Sequence, residues 1–459
     1  ILKQVQGPNY TLNYTILEKI YKILCQSSNM VTPESKQQYS EEVMAEGNKM
    51  QEFVTKYLVM NNSRDVQLKC LTSWCQLMLV LQDEINSGDF IIDVFNAILP
   101  KVSIFIESDT VFSEELVSLC GSLFNTFVSK FAKFNDDKQA KLVVEQLMPL
   151  FQTCISGVIN SHATPSMRSE FYSILNKFIL KIFQNRFLST KVMELVRSVH
   201  KKLLPIITND ALYSEGLSRI NSIFLIESLL KLESASLSQE QFIFSHVLKQ
   251  SFLSQVIRAL RRTDQVIRLS TSPTSELTFN ELFVELTAFK ANVYLLIKIA
   301  QSQKGALQLV QNELFATLKS MDLLQIDPDL GLTLHAHEVQ DFKNISIKVL
   351  LDTPLSLSDL VNPDSKYEDT ISLNELVVPI FELVTTVLLS MGPTYKPGVV
   401  QTKEFMKKVD ELVMGVLKRD YLLETGQVSK ALSDKEGDEI LLLQKLVRLF
   451  TIIDSVVGA

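Results

Sequence analysis

The sequence predicts an all-α fold: an α-solenoid of stacked antiparallel helix pairs of the HEAT/ARM kind. Three observations carry this. Helical periodicity recurs along the chain almost without pause. Glycine and proline number 14 and 13 in 459 residues, too few for the turns that strand-rich folds need every few positions. And a proline is embedded four times in an apolar, helix-like run. The copies are Ile98-Leu99-Pro100-Lys101-Val102, Leu147-Met148-Pro149-Leu150-Phe151, Leu203-Leu204-Pro205-Ile206-Ile207 and Val377-Val378-Pro379-Ile380-Phe381. The first three prolines lie 49 and 56 residues apart, a period in the range of helix-pair repeats.

Taken in order, the pattern places helices over 9–27, 34–60, 64–86, 89–106, 113–134, 137–160, 166–184, 190–206, 210–232, 239–249, 251–268, 276–301, 304–320, 338–352, 371–391, 400–424 and 434–457. Thr32-Pro33 and Thr164-Pro165 set a capping hydroxyl ahead of a first-turn proline. Ser238 with Gln241, Ser372 with Glu375 and Ser433 with Glu436 have capping-box spacing. In 89–106, Phe90, Ile91, Ile92, Val94, Phe95, Ile98, Leu99, Val102, Ile104, Phe105 and Ile106 leave little polar surface. Such a helix must be covered on several sides, and stacked pairs do this by burying each face against the next pair. Connections are mostly short, which makes neighbouring helices antiparallel. The repeats do not align residue by residue, which excludes the regular tetratricopeptide and ankyrin consensus. The array reads as a regular part over 1–269 and a second part over 270–459, with loop insertions near 326–339 and 352–370. Pro328, Gly331, Pro354 and Pro363 mark those insertions, and Ser270–Ser275 reads as a loop.

Composition narrows the chemistry. The 45 basic and 52 acidic residues are well mixed and the net charge is −7, so no polybasic surface for nucleic acid is expected. Cys25, Cys70, Cys75, Cys120 and Cys154 are odd in number and lack paired spacing, which points to reduced core thiols. Val377 to Met391 is the richest apolar run, but Pro379 and Glu382 interrupt it, and a membrane span needs about 20 apolar residues. No transmembrane helix is expected. The chain starts at Ile1 without a signal-peptide layout and reads as a fragment of a longer one.

No catalytic motif, phosphate-binding loop or zinc spacing is present, so no catalytic residue, metal or cofactor is expected. His335 and His337 alternate near Asp327 and Asp329; they suit a metal on an extended segment, or simply a solvated loop. Arg258, Arg261 and Arg262 share one helix face. Their forks suit an acidic peptide, or they form a solvated face with local ion pairs. Lys403, Lys407 and Lys408 form a weaker basic patch. The last helix gathers Gln444, Lys445, Arg448, Thr451 and Ser455 in one sector and is apolar over the rest. Leu446, Phe450 and Ile453 make a ridge on it that fits a partner helix laid in a groove. A following segment could cover that ridge instead, or the helix could tuck into the bundle before it.

One segment is distinctive: Phe289-Lys290-Ala291-Asn292-Val293-Tyr294-Leu295-Leu296-Ile297-Lys298-Ile299-Ala300, then Gln301 to Leu318 with Gly305-Ala306 ahead of an apolar run. It resembles the C-terminal solenoid of the largest inner-ring scaffold nucleoporins of the nuclear pore complex. The resemblance implies a long helix, a Gly-Ala turn, an apolar helix and a short second helix. It also implies a structural, non-enzymatic role at the nuclear envelope, and contacts with other scaffold nucleoporins and with amphipathic segments of linker nucleoporins. A karyopherin-like transport receptor shares the helix-pair repeat and the acidic charge, and the helical arm of a larger regulatory enzyme is a third reading.

Overall fold

The computed structural model describes residues 19, 41–131, 137–182, 185–236, 240–272, 274–326, 332–337, 344–350, 370–425 and 434–458. Two compact units divide the chain, residues 1–188 and 189–459. The residue-269 division drawn from the sequence falls at the end of a helix inside the second unit.

In the first unit, α1 is Glu41–Leu81, α2 Gly88–Ser108, α3 Thr110–Lys130, α4 Asp137–Ile159 and α5 Pro165–Ile182. Helix α2 packs on α3 and on α4; α3 packs on α1 and α5; α4 packs on α5. Helices α2 to α5 each therefore touch their hairpin partner and their counterpart in the neighbouring pair, the contact pattern of a stacked-helix array. The predicted helices 34–60 and 64–86 fuse into α1, because Asn61-Asn62-Ser63 contains neither proline nor glycine. Arg64 then ties the middle of α1 to Asp109, the single extended residue between α2 and α3. Its Nε and Nη2 donate to Asp109 Oδ2 and Oδ1 at 2.6 and 2.8 Å. Helix α5 starts as its cap predicts: Pro165 is its first residue and Met167 N donates to Thr164 Oγ1 at 3.3 Å. Gly157 lets α4 and α5 approach closely, since a Cβ there would lie 2.3 Å from the Phe171 ring.

Helix α6, Arg186–Tyr213, runs through the division. The second unit continues with α7 Gly216–Ala235, α8 Phe242–Val247, α9 Gln250–Ser270, α10 Phe279–Ala300, α11 Gln303–Gln311 and α12 Leu314–Lys319. After a small sheet come α13 Leu373–Met391, α14 Lys396–Lys408, α15 Asp410–Glu424 and α16 Asp434–Val457. Helices α7, α10, α13 and α16 pack in succession, and α9, α12 and α14 form a second succession beside them. The fold is all-α in class, as the periodicity predicts.

The predicted helix 338–352 is overturned. Strand β1, Leu332–His337, pairs antiparallel with β2, Asn344–Leu350, setting Leu332 opposite Val349 and His337 opposite Asn344. Strand β3, Thr370–Ser372, joins β2 in parallel. Ile345, Ile347 and Val349 alternate with Ser346 and Lys348, a period of two that outweighs the general helical bias of the chain. Most of the expected insertion 352–370 lies outside the described residues.

All four prolines are internal to helices. Pro100, Pro149 and Pro205 are exposed, and so are Asn96, Glu145 and Lys201 one turn earlier. Water can therefore reach the carbonyls that lack a proline N–H. Pro379 is different, being buried in α13. Helices α4 and α13 are long and apolar enough to cross a membrane by length and composition. Within the second unit, α13 is enclosed by α10, α11, α14 and α16.

A buried ion pair joins three helices of the second unit. Arg219 Nη1 on α7 donates to Glu285 Oε2 on α10 at 3.1 Å, and Thr263 Oγ1 on α9 donates to Oε1 at 3.1 Å. Both charged side chains are about 6 % exposed. Removing one partner leaves the other charge buried and uncompensated, so Glu285→Ala should lower stability by about 3–5 kcal/mol. The Arg219→Met, Glu285→Leu double variant should recover most of that loss. Urea unfolding of the three proteins checks this; equal losses for the single and double variants would contradict it.

Candidate docking site

A groove of about 610 Å³ runs along the second unit between α11–α12 and α14. Its apolar lining is Val310, Phe315, Ala316, Pro397 and Val400, and its polar lining is Glu313, Lys319, Lys396, Gln401 and Glu404. Local chemistry builds it. Ser302 caps α11, accepting from Gly305 N at 3.0 Å. Residue 305 must be glycine here, because a Cβ would lie 2.0 Å from the Ile299 carbonyl oxygen. Gly305 and Ala306 are not a turn but belong to the first turn of α11, which the glycine lets lie close against the end of α10. The predicted single helix 304–320 breaks at Glu313, whose φ of 63° is left-handed, a conformation that costs an L-residue about 1–2 kcal/mol. Asn312 imposes the break. It accepts from Ser254 Oγ of α9 through Oδ1 and donates through Nδ2 to Gln308 O, both at 2.8 Å. The resulting short α12 presents Ala316 to the groove, with Phe315 buried behind it. Across it, Lys319 Nζ meets Glu404 Oε2 at 2.7 Å. This pair is partly solvated and contributes little to stability.

Leu446, Phe450 and Ile453 are not an open ridge. All three are buried, and α16 packs on α13. Phe450 meets Phe381 edge-on at 4.8 Å, and Phe405 lies 5.7 Å from Phe381 and 6.3 Å from Phe315. A run of four rings thus links α12, α13, α14 and α16. Lys445 Nζ reaches Glu382 on α13 at 2.5 Å. The helix tucks into the preceding bundle, and its ridge is spent on internal packing. Leu441 and Ile452 remain exposed on its outer side.

Arg258, Arg261 and Arg262 are exposed on α9, as their spacing predicts. The structure separates their roles: Arg262 Nε approaches the buried Glu285 Oε2 at 3.4 Å. Lys403, Lys407 and Lys408 are exposed on α14. His335 and His337 lie on β1, while Asp327 and Asp329 are outside the described residues. Among the described residues no group of three or more His, Cys, Asp or Glu converges to hold a metal.

The first unit carries a surface that the sequence reading did not single out. Val59, Val66, Trp74, Leu77 and Leu81 on α1 are exposed, and Cys70 lies among them. At 100° per residue these positions fall within an arc of about 80°. The signal was available as apolar residues at steps of seven, four, four, three and four.

The remaining described cysteines are interior. Burial, reinforced by the charge of Glu115, pushes the Cys75 thiol up to about 11. Burial next to Cys75 takes Cys120 to about 12, and burial beside Cys120 raises Cys154 well above the ordinary range. Thiolate is the reactive form, so these groups are inert packing atoms.

A family model described as "Nuclear pore complex scaffold, nucleoporins 186/192/205" matches residues 1–457. The chain is similar to nucleoporin NUP192 of Chaetomium thermophilum, with 22 % identity over 477 residues, covering 91 % of this chain. It spans 25 % of the length of that protein.

Two outcomes follow from these placements. Phe450→Ala should lower stability by about 3–5 kcal/mol in chemical denaturation, as truncation of a core aromatic does; an unchanged midpoint would contradict its burial. In maleimide labelling at mildly alkaline pH, followed by peptide mass mapping, Cys70 should react in the native protein. Cys120 and Cys154 should react after denaturation, and native labelling of Cys154 at the rate of Cys70 would contradict this account.

Proposed function

The chain belongs to the nuclear pore complex scaffold family of nucleoporins 186, 192 and 205, and from that premise we propose that it is a structural, non-enzymatic segment of the pore scaffold at the nuclear envelope. Its work is to hold other nucleoporins in place. The observation that carries this reading is the family match along almost the whole chain. Membership of a scaffold family favours it over the transport-receptor and enzyme-arm readings. The division at residue 269 is kept within the proposal: a regular array before it, and a docking region after it.

The docking surface is the groove between α11–α12 and α14. Its apolar lining with a charged rim fits an amphipathic helix that inserts anchors at i, i+3 or i+4, and i+7. A linker nucleoporin segment has that chemistry. One wall of the groove comes from the segment that carries the family resemblance, and Val400 stands half-exposed on the other, as an unfilled apolar contact does. The exposed stripe on α1 supports the same picture of a chain built to be covered by neighbours, since contiguous apolar patches mark interaction surfaces.

Calorimetry with the full chain and synthetic amphipathic segments of linker nucleoporins tests this. Binding is expected, and Val400→Asp should weaken it about tenfold or more, equivalent to about 1.4 kcal/mol. Absence of heat and of co-elution for every linker segment would overturn the docking reading. Equal affinity of the Val400→Asp variant would move the site away from the groove.

A further inference from the structure

We propose that the arginine face of α9, together with Tyr213 beside it, is a second docking surface, and that it takes an acidic protein segment carrying an apolar anchor. Helix α9 holds Arg258, Arg261, Arg262 and Arg268 against one acid, Asp264. That acid is already used. Its two carboxylate oxygens accept from Asp322 N and Leu323 N at 3.0 Å each, capping the 3-10 turn at 322–325. The opposite face of α9 is core: Phe252, Leu253, Val256, Ile257, Leu260 and Ile267 are buried. Arg258, Arg261 and Arg268 therefore stay at the surface, and Arg262 alone leans toward a buried acid, Glu285.

In a chain of net charge −7, exposed guanidinium groups have many acids to choose from. Yet Arg258, Arg261 and Arg268 are exposed and have no ion-pair partner among the described residues. Arg262 makes one 3.4 Å approach to Glu285 and stays 64 % exposed. The carboxylate of Glu285 is already met by Arg219 and Thr263, so it does not neutralise this face. Forks left open in this way match carboxylates in a bidentate geometry. From Arg258 to Arg268 the helix rises about 15 Å, the span of four or five extended residues.

An anchor site adjoins the charge. Gln255, one turn before Arg258, donates through Nε2 to Tyr213 Oη at 3.1 Å. That bond holds the exposed tyrosine next to the arginine face. Leu269, at the far end of α9, is more than 60 % exposed and adds apolar surface to the same helix. Tyrosine and arginine are the residue types that dominate binding hot spots. A nucleic acid would gain from the same arginines, but its affinity rests on a broad positive field, and the net charge of this chain opposes one.

The test is fluorescence anisotropy on the full chain with a labelled glutamate-rich peptide containing one phenylalanine. A charge-inverted lysine peptide and a single-stranded oligouridine serve as the other arms. The glutamate peptide should bind and weaken as salt rises, and the lysine peptide should not bind. The triple variant Arg258→Ser, Arg261→Ser, Arg268→Ser should weaken binding about tenfold or more without lowering the unfolding midpoint, because all three side chains are exposed. Tyr213→Ser should weaken it severalfold. Val400→Asp should leave it unchanged, which separates this surface from the groove. Absence of saturable binding at low salt, or equal affinity of the triple variant, would overturn the proposal. Tighter binding of oligouridine in competition with the peptide would overturn it in favour of nucleic acid.

Discussion

Helix α13 buries 14 of its 19 residues from Leu373 to Met391, including its own proline. A helix with so wide an apolar arc cannot satisfy itself with one partner, and that constraint organises the second unit. Helices α10, α11, α14 and α16 close round α13, and each must then place its own remaining apolar surface. The process ends where a helix has a polar or charged face to give to water, as α9 does. The first unit follows the same logic with α2 and α3, whose apolar arcs are covered both by each other and by α4 and α5. Stacking is thus the consequence of helices with too much apolar surface for a simple hairpin.

Polar interactions sit at the seams of this packing. Apolar contacts alone allow a helix to slide or rotate against its neighbour. Arg64 with Asp109 in the first unit, and Arg219 with Glu285 and Thr263 in the second, link residues distant in sequence at defined points. Buried carboxylates also stand in for missing helix caps. Glu233 accepts from Ile243 N and Phe244 N at 2.8 and 2.9 Å, ordering the start of the short helix α8. These groups carry a desolvation cost, and removing one partner is more damaging than replacing both.

The surfaces left over suit a scaffold. The groove near α12 exists because Asn312 is clamped to α9 and the chain takes a left-handed step at Glu313. A continuous helix over the same residues would present a smooth face. The exposed stripe of α1 lies on a helix far longer than its neighbours, and the arginine face of α9 lies opposite a well-packed core. Each surface is a by-product of how the core was completed, and each offers a different chemistry: an apolar groove, an apolar ridge and a basic face with an aromatic edge. A segment of a pore scaffold has use for several such contacts at once.

Helical class, the four helix-internal prolines and the capped start of α5 were legible in the sequence. Each depends on residues within about one or two turns of one another, and such short-range rules hold wherever the chain goes. The strand at 344–350 was legible too, in its alternation, but the helical context masked it. Three matters were decided by the tertiary structure. Leu446, Phe450 and Ile453 form a ridge that the sequence leaves open to a partner, to a following segment or to the bundle before it, and in the fold all three are buried, with Phe450 edge-on to Phe381. Pro100, Pro149 and Pro205 proved exposed where Pro379 is buried, although all four runs look alike. Arg262 proved to lean on Glu285 while Arg258 and Arg261 do not. Periodicity states that a helix has an apolar face; only neighbours from distant parts of the chain determine whether that face is already covered, because burial is a property of the packed assembly and not of the segment.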